Sequence, residues 1–254
     1  MTPAATRTAS QLTATAQTIL FDFDGPICNF FSGLPNPYAA DRLREVLLSH
    51  ARVQLSDHIR TTPDSFEILR ATPQIAPPLT DLIEHELALV EEQAAGLSTP
   101  TPGILETLSV LRSSGKTIGI VSNTAQSAIL MYLDSHELRP CVDGVFGRRL
   151  PDPSLLKPSP YLVTEALRQL GADPTSTVLV GDQPTDIEAA SLAGIPSIGY
   201  ANKPGKDERL STAGATAIIT RITDMMTPSV IAHTVPTRHR KERRSEYTRR
   251  GRAI

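Results

Sequence analysis

The chain has 254 residues, 40 % apolar and 20 % charged, with a formal net charge of -2. That length supports a sizeable core, as one domain with a large insertion or two modest domains, and no stretch reaches the roughly 18 consecutive apolar residues of a membrane-spanning helix. The two cysteines, Cys28 and Cys141, stand far apart with no CxxC pairing, so a reduced, cytoplasmic protein with two inert thiols is expected.

The first 17 residues, MTPAATRTASQLTATAQ, have no apolar segment of signal-peptide type, and residues 1–16 read as a disordered lead-in. QTILFDF (17–23) then reads as a buried strand. From about residue 30 to 100 no strand pattern occurs. ADRLREVLLSHARVQL, SFEILRA and LTDLIEHELALVEEQAAG are helical pieces punctuated by Pro73, Pro77, Pro78, Pro100 and Pro102, so a helical insert is expected over 30–100. Alternation follows. GILETLSVLRSSG (103–115) has helical spacing and a glycine stop. KTIGIVSN (116–123) is a second strand, STVLVGD (176–182) a third, IPSIGY (195–200) a fourth and ATAIIT (215–220) a fifth. TAQSAILMYLDSH, PYLVTEALRQLG and PTDIEAASLAG are helices between them. Strands alternating with helices imply an α/β fold, a parallel sheet wrapped on both faces. The core is therefore expected over 17–29 and 101–230. From His233 the chain carries eight Lys or Arg against two Glu, leaving 17 bases against 25 acids in the rest. Residues 231–254 are expected to be a disordered basic tail. A nucleic-acid or acidic partner is its functional reading and a solvated tail is preferred, because no folded nucleic-acid motif accompanies it.

Ligands of a parallel sheet bind beyond the carboxyl ends of its strands. The first strand ends in Asp22 and Asp24, the second in Ser122 and Asn123, the third in Gly181-Asp182 with Asp186 four residues on. Lys157 stands in a Pro-rich loop before a helix. Singly these are a helix cap, a turn and a solvated lysine. Together they crowd carboxylates at one end of the sheet, which raises their pKa values and costs stability. A hard divalent cation such as Mg²⁺ relieves that crowding through oxygen ligands. A cation with an amine and a hydroxyl beside it is what a phosphoryl group needs, since catalysis there is mostly positioning and charge neutralisation.

DFDG at 22–25, SN at 122–123, Lys157 and GDQPTD at 181–186 resemble, in order, the four motifs of the haloacid dehalogenase superfamily. PGILETLSVLRSSGKTIGIVSN is similar to that family's approach to its second motif, and the resemblance covers about residues 17–225. It implies a Rossmann-like doubly wound parallel sheet with an inserted α-helical cap of the C1 type at 30–100. It further implies a Mg²⁺-dependent phosphatase, similar to the phosphoglycolate phosphatases, hydrolysing a small phosphorylated metabolite through an aspartyl-phosphate. Asp22 is implied as nucleophile and Asp24 as general acid and base. Asp22, the Asp24 carbonyl, Asp182 and Asp186 are implied at the metal, and Ser122, Asn123 and Lys157 at the phosphoryl group. The residues alone do not say which Asp attacks. Pro26 departs from the family's usual Thr or Val and removes a hydroxyl and a backbone donor. Dehalogenases lack the second acid, and phosphonatases need a cap lysine that 30–100 does not contain. A phosphomutase of the β-phosphoglucomutase type uses the same residues and stays open. So does a non-catalytic binding module that works through the basic tail. Arg42, Arg44 and the Phe30-Phe31 pair are possible pocket residues, with solvated helix faces and hinge packing the preferred reading.

Overall fold

The computed structural model describes residues 8–50 and 53–226. The basic tail expected over 231–254 lies outside the described residues, as do residues 1–7. In chain order the elements are α1 (Ala9–Thr15), β1 (Thr18–Phe21), β2 (Cys28–Asn29), α2 (Asn36–His50), α3 (Asp57–Thr61), α4 (Ser65–Ile75), α5 (Thr80–Ala95), β3 (Thr99–Pro100), α6 (Ile104–Ser113), β4 (Thr117–Ala125), α7 (Gln126–Ser135), β5 (Gly144–Arg148), α8 (Tyr161–Leu170), β6 (Thr177–Gly181), α9 (Pro184–Leu192), β7 (Ser197–Tyr200), α10 (Lys206–Thr212) and β8 (Ala217–Ile219).

Among the described residues the main sheet has six parallel strands in the order β5-β4-β1-β6-β7-β8. The chain therefore starts in the middle, builds outward to β5 and then crosses to the other side at β6. That reversal leaves a crevice beyond the carboxyl ends of β1, β4 and β6. Strand periodicity divides the apolar residues between two faces. Ile19, Phe21, Val178 and Val180 pack toward Ile104, Leu108, Ile129 and Tyr132 of α6 and α7. Leu20, Val121 and Leu179 pack toward Leu162, Val163, Ala166 and Ala189 of α8 and α9. The sheet is doubly wound, as the alternation of strands and helices implies.

Helices α2, α4 and α5 hold a separate apolar cluster, with Leu43, Leu47, Ile68, Leu69, Ile83 and Leu87 at its centre. At its base β2 and β3 pair antiparallel, Cys28 with Pro100 and Asn29 with Thr99. β2 precedes the segment over 30–100 that the sequence reads as strandless, while β3 falls at its last two residues, a pairing too short to show a period. Pro73 does not end α4. It stands in the last turn of that helix.

The lead-in expected to be disordered over 1–16 is helical from Ala9 to Thr15. Thr8 and Gln11 form a capping box, and Ala9, Leu12 and Ala16 join the core. Its short apolar set, spread among Thr and Ala, gives little periodicity to read. The sheet also has one strand more than the five expected. GVFGR at 144–148 is a short edge strand with two glycines, and such runs carry a weak strand signal. No helix among the described residues is long and apolar enough to cross a membrane.

Candidate active site

All seven residues singled out from the sequence line one cavity at the crevice, with a volume of about 460 Å³. Asp22 and Asp24 follow β1, Ser122 and Asn123 lie in β4, Asp182 follows β6, Asp186 lies in the first turn of α9 and Lys157 lies in the loop before α8. Phe31, Pro63, Asp64, Phe66 and Arg70 close the other side.

The turn after β1 sets the two acids apart. The Ile27 and Cys28 amides donate to the Phe23 carbonyl, and Gly25 donates to the Cys28 carbonyl. Gly25 has φ +97°, and a Cβ there would fall 2.6 Å from Asp182 Cγ, so only glycine lets this turn approach β6. Pro26 occupies a turn position whose neighbours' amides make the bonds, so its missing N–H leaves none of these bonds unmade.

Asp22 is buried, and its Oδ1 accepts from Lys157 Nζ at 2.8 Å. Lys157, 2 % exposed, also donates to the Val121 carbonyl at 3.0 Å and to Asp186 Oδ1. The other oxygen of Asp186 accepts from the Asp182 and Gln183 amides at 3.0 and 2.9 Å, which fixes it at the start of α9. Asp182 pairs with Lys206 Nζ. Asp24 is half-buried, and its Oδ1 accepts from the Phe30 amide at 3.0 Å. Ser122 is buried beside Thr124, with long contacts of 3.4 Å to its hydroxyl and amide. Asn123 holds the backbone of Lys157, accepting from its N–H at 2.8 Å and donating to its carbonyl at 3.3 Å.

Burial, then Asp186, pushes Asp22 up to about 7 against the pull of Lys157, with Asp182 adding to the rise. Burial pushes Asp24 up to about 6, opposed by the Phe30 amide. Burial also pushes Asp182 up to about 6 against Lys206. Lys157 loses to burial but gains more from Asp186 and Asp22, so its pKa is raised and it stays charged. Among the described residues four carboxylates thus face two buried ammonium groups, with the exposed Lys203 acting on Asp24 as well, so negative charge is in excess when all are ionised. Ligand oxygens of Asp22, Asp182 and Asp186 lie within 4.8 Å of one another. A hard, divalent, oxygen-seeking ion fits both the charge and the donors. The Asp24 carboxylate lies outside this trio.

Three contributors were not legible as site residues. Lys206, the first residue of α10 behind Gly205, is buried against Asp182. No pattern in the sequence marks it. Glu91 and Arg148 form a buried ion pair beside Asn123. Glu91 did leave a signal, since it falls on the apolar stripe of α5 with Ile83, Leu87 and Ala94. Of the residues read as pocket candidates, Phe31 lines the cavity and Phe30 is core. Arg42 and Arg44 are engaged by Glu86, Glu45 and Asp41 away from it. Cys28 is buried, which raises its thiol pKa well above the usual value and leaves it inert.

Residues 19–200 match the model of the family described as haloacid dehalogenase-like hydrolase. The pyrophosphatase PpaX of Bacillus pumilus is 29 % identical over 222 residues, spanning 84 % of this chain and 96 % of its own. The phosphoglycolate phosphatase of Caulobacter vibrioides is 26 % identical over 216 residues, spanning 82 % and 88 %. The phosphate complex of CbbY from Rhodobacter sphaeroides shares the fold with a TM-score of 0.64 at 18 % identity, over 85 % of this chain and 99 % of that one.

Proposed function

The chain belongs to the haloacid dehalogenase-like hydrolase family, and we propose that it is a Mg²⁺-dependent phosphatase that hydrolyses a small-molecule phosphate monoester through an aspartyl-phosphate on Asp22. The observation that carries this reading is the excess of negative charge around Asp22, Asp182 and Asp186 at the strand crossover, with Lys157 between them.

Asp22, the Asp24 carbonyl, Asp182 and Asp186 would hold the ion. When bound, Mg²⁺ supplies charge neutralisation for the crowded carboxylates and the phosphoryl oxygens. Asp22 attacks phosphorus in line, forming the Asp22 oxygen–phosphorus bond while the ester oxygen–phosphorus bond breaks. Asp24 gives its proton to the departing oxygen. A carboxyl with a pKa of about 6 bears that proton often enough near neutral pH to do so. Asp24 then takes a proton from water as the water attacks the aspartyl-phosphate, which returns Asp22 and releases phosphate. Ser122 and the Asn123 amide hold phosphoryl oxygens, and Lys157 balances the charge that builds on them.

The helical insert acts as a cap and selects the substrate. Its Arg70 lines the cavity, donates one N–H to the Lys157 carbonyl at 3.1 Å and has no carboxylate partner among the described ion pairs. That leaves guanidinium donors for a second anionic group on the substrate. A cavity of about 460 Å³ suits a small metabolite. The test is hydrolysis of p-nitrophenyl phosphate with Mg²⁺, beside Asp22→Asn and an EDTA control. The reading expects turnover that both controls abolish. Turnover that survives Asp22→Asn would defeat it.

A further inference from the structure

The strand that presents Ser122 and Asn123 is irregular at those residues. β4 and β5 pair at Val121 with Phe146 and next at Ala125 with Arg148, so Ser122 to Thr124 bulge opposite Gly147. A Cβ on Gly147 would fall 2.8 Å from the Thr124 carbonyl oxygen and 2.9 Å from Gln126 N, so glycine is what lets the bulge lie there. A bulge takes backbone groups out of the ladder, and buried ones need other partners. Here the partners are charged. Arg148 Nη1 donates to the Asn123 carbonyl at 2.7 Å, and the Ala125 amide donates to Glu91 Oε2 at 2.9 Å.

Those two side chains belong to different parts of the molecule. Arg148 ends β5 in the core, and Glu91 lies on α5 in the cap. They pair at 2.8 Å, 2 % and 0 % exposed. Arg148 also donates to Glu84 of α5 at 3.0 Å and lies over the ring of Phe66 on α4, a residue that lines the cavity. The contacts continue from Asn123 toward the nucleophile. Its side chain brackets the backbone of Lys157 with two hydrogen bonds, and Lys157 Nζ donates to Asp22 Oδ1. Unbroken contacts therefore run from Glu91 through Arg148, Asn123 and Lys157 to Asp22. Arginine suits the joint because its fork serves Glu91, Glu84 and a carbonyl at once, which a lysine's three donors on a single nitrogen cannot reach in that geometry.

We propose that Arg148 is a positioning residue of the phosphoryl-transfer site, which couples the seating of cap helix α5 to the placement of Lys157 on Asp22. The role rests on the phosphatase reading above. It assigns Arg148 and Glu91 to turnover although neither lines the cavity.

Arg148→Met alone would strand Glu91 as a buried charge and endanger the fold, so the informative protein carries Arg148→Met with Glu91→Leu. Exchanging a buried ion pair for apolar side chains is often neutral for stability. That protein loses the partners of the Asn123 carbonyl and the Ala125 amide, so it should melt below wild type but above Arg148→Met alone, keep its KM for p-nitrophenyl phosphate and lose about 10²-fold in kcat, the scale of a small misplacement at a reacting centre. Arg148→Lys should recover part of the loss. Adding Asn123→Ala to the charge-free protein should lower kcat no further than the worse of the two parents, because both act on one line of contacts. Amide hydrogen exchange should quicken at 122–126 and at Lys157 and stay unchanged across β6. The proposal is overturned by an unchanged kcat in the charge-free protein, or by losses that multiply with Asn123→Ala. If the wild type turns over no aryl phosphate with Mg²⁺, the phosphatase reading fails instead. Exchange alone then decides the line of contacts, and unchanged rates at 122–126 overturn it.

Discussion

Two groups of buried charge lie a few residues apart and are settled differently. At the strand tips Asp22, Asp182 and Asp186 receive, among the described residues, only Lys157 and Lys206 as ion-pair partners, and Asp24 adds a fourth acid. At the joint between core and insert, Arg148 meets Glu91 with every guanidinium nitrogen engaged and both Glu91 oxygens used. The joint is satisfied from within the protein, while the strand tips are left short of positive charge. Buried charge that the chain itself compensates holds parts in place. Buried charge that it leaves uncompensated calls for something from outside.

The largest effect that separates the two is on turnover. Asp22→Asn should abolish hydrolysis, by about 10³-fold or more, because no other group attacks once the nucleophile is gone. The same substitution should leave the metal-free melting temperature equal or higher, since it relieves repulsion with Asp186 and Asp182. Calorimetry beside a kinetic assay checks both. The joint should behave in the opposite way. Arg148→Met should cost about 3–5 kcal/mol of stability by leaving Glu91 buried and unpaired, measurable by denaturant unfolding. Arg148→Met with Glu91→Leu should recover part of that, since the Asn123 carbonyl and the Ala125 amide stay without their partners.

Proton uptake sharpens the contrast. Asp22, Asp24 and Asp182 keep protons in the fold up to about 7, 6 and 6, whereas carboxyls of the unfolded chain lose theirs near 3.8. Between those values the folded chain holds more protons than the unfolded one. Metal-free protein should therefore lose stability as pH rises from about 4 to about 7. A divalent ion takes the place of those protons, so Mg²⁺ should raise the melting temperature more at pH 8 than at pH 5. Equal shifts at the two values would place the ion elsewhere. The smallest effect is expected at the turn. Pro26→Thr should cost about 0.4–1 kcal/mol, through the freedom it returns to the unfolded chain, with kcat close to wild type.

What could be read in advance follows the same division. Strand tips end apolar runs with acids, hydroxyls and glycines, so the site appears in sequence as polar residues where a buried strand stops. The distances between Asp22, Ser122, Lys157 and Asp182 along the chain do not hide it, because parallel topology gathers those tips. The joint has a fainter signature, a single acid, Glu91, on the apolar stripe of α5. Arg148 ends a glycine-rich edge strand whose sequence carries a weak strand signal, and its partner Glu91 comes from an insert whose packing on the core no periodicity gives. Lys206 is obscured in the same manner, since a lysine in a polar loop is ordinarily solvated. The helix at Ala9–Thr15 has no legible signature because Ala9, Leu12 and Ala16 are too few and too small to stand out, although the core accepts them.

The claim that most of this depends on is that Asp22 carries the phosphoryl group. Sodium borohydride added during turnover of p-nitrophenyl phosphate with Mg²⁺ reduces an acyl phosphate to an alcohol, turning the aspartate that bears it into homoserine. Peptide mass spectrometry of the 19–31 region should find homoserine at Asp22, and Asp22→Asn should give none. Homoserine at Asp24 instead, or an unmodified peptide while phosphate is being released, would contradict the account.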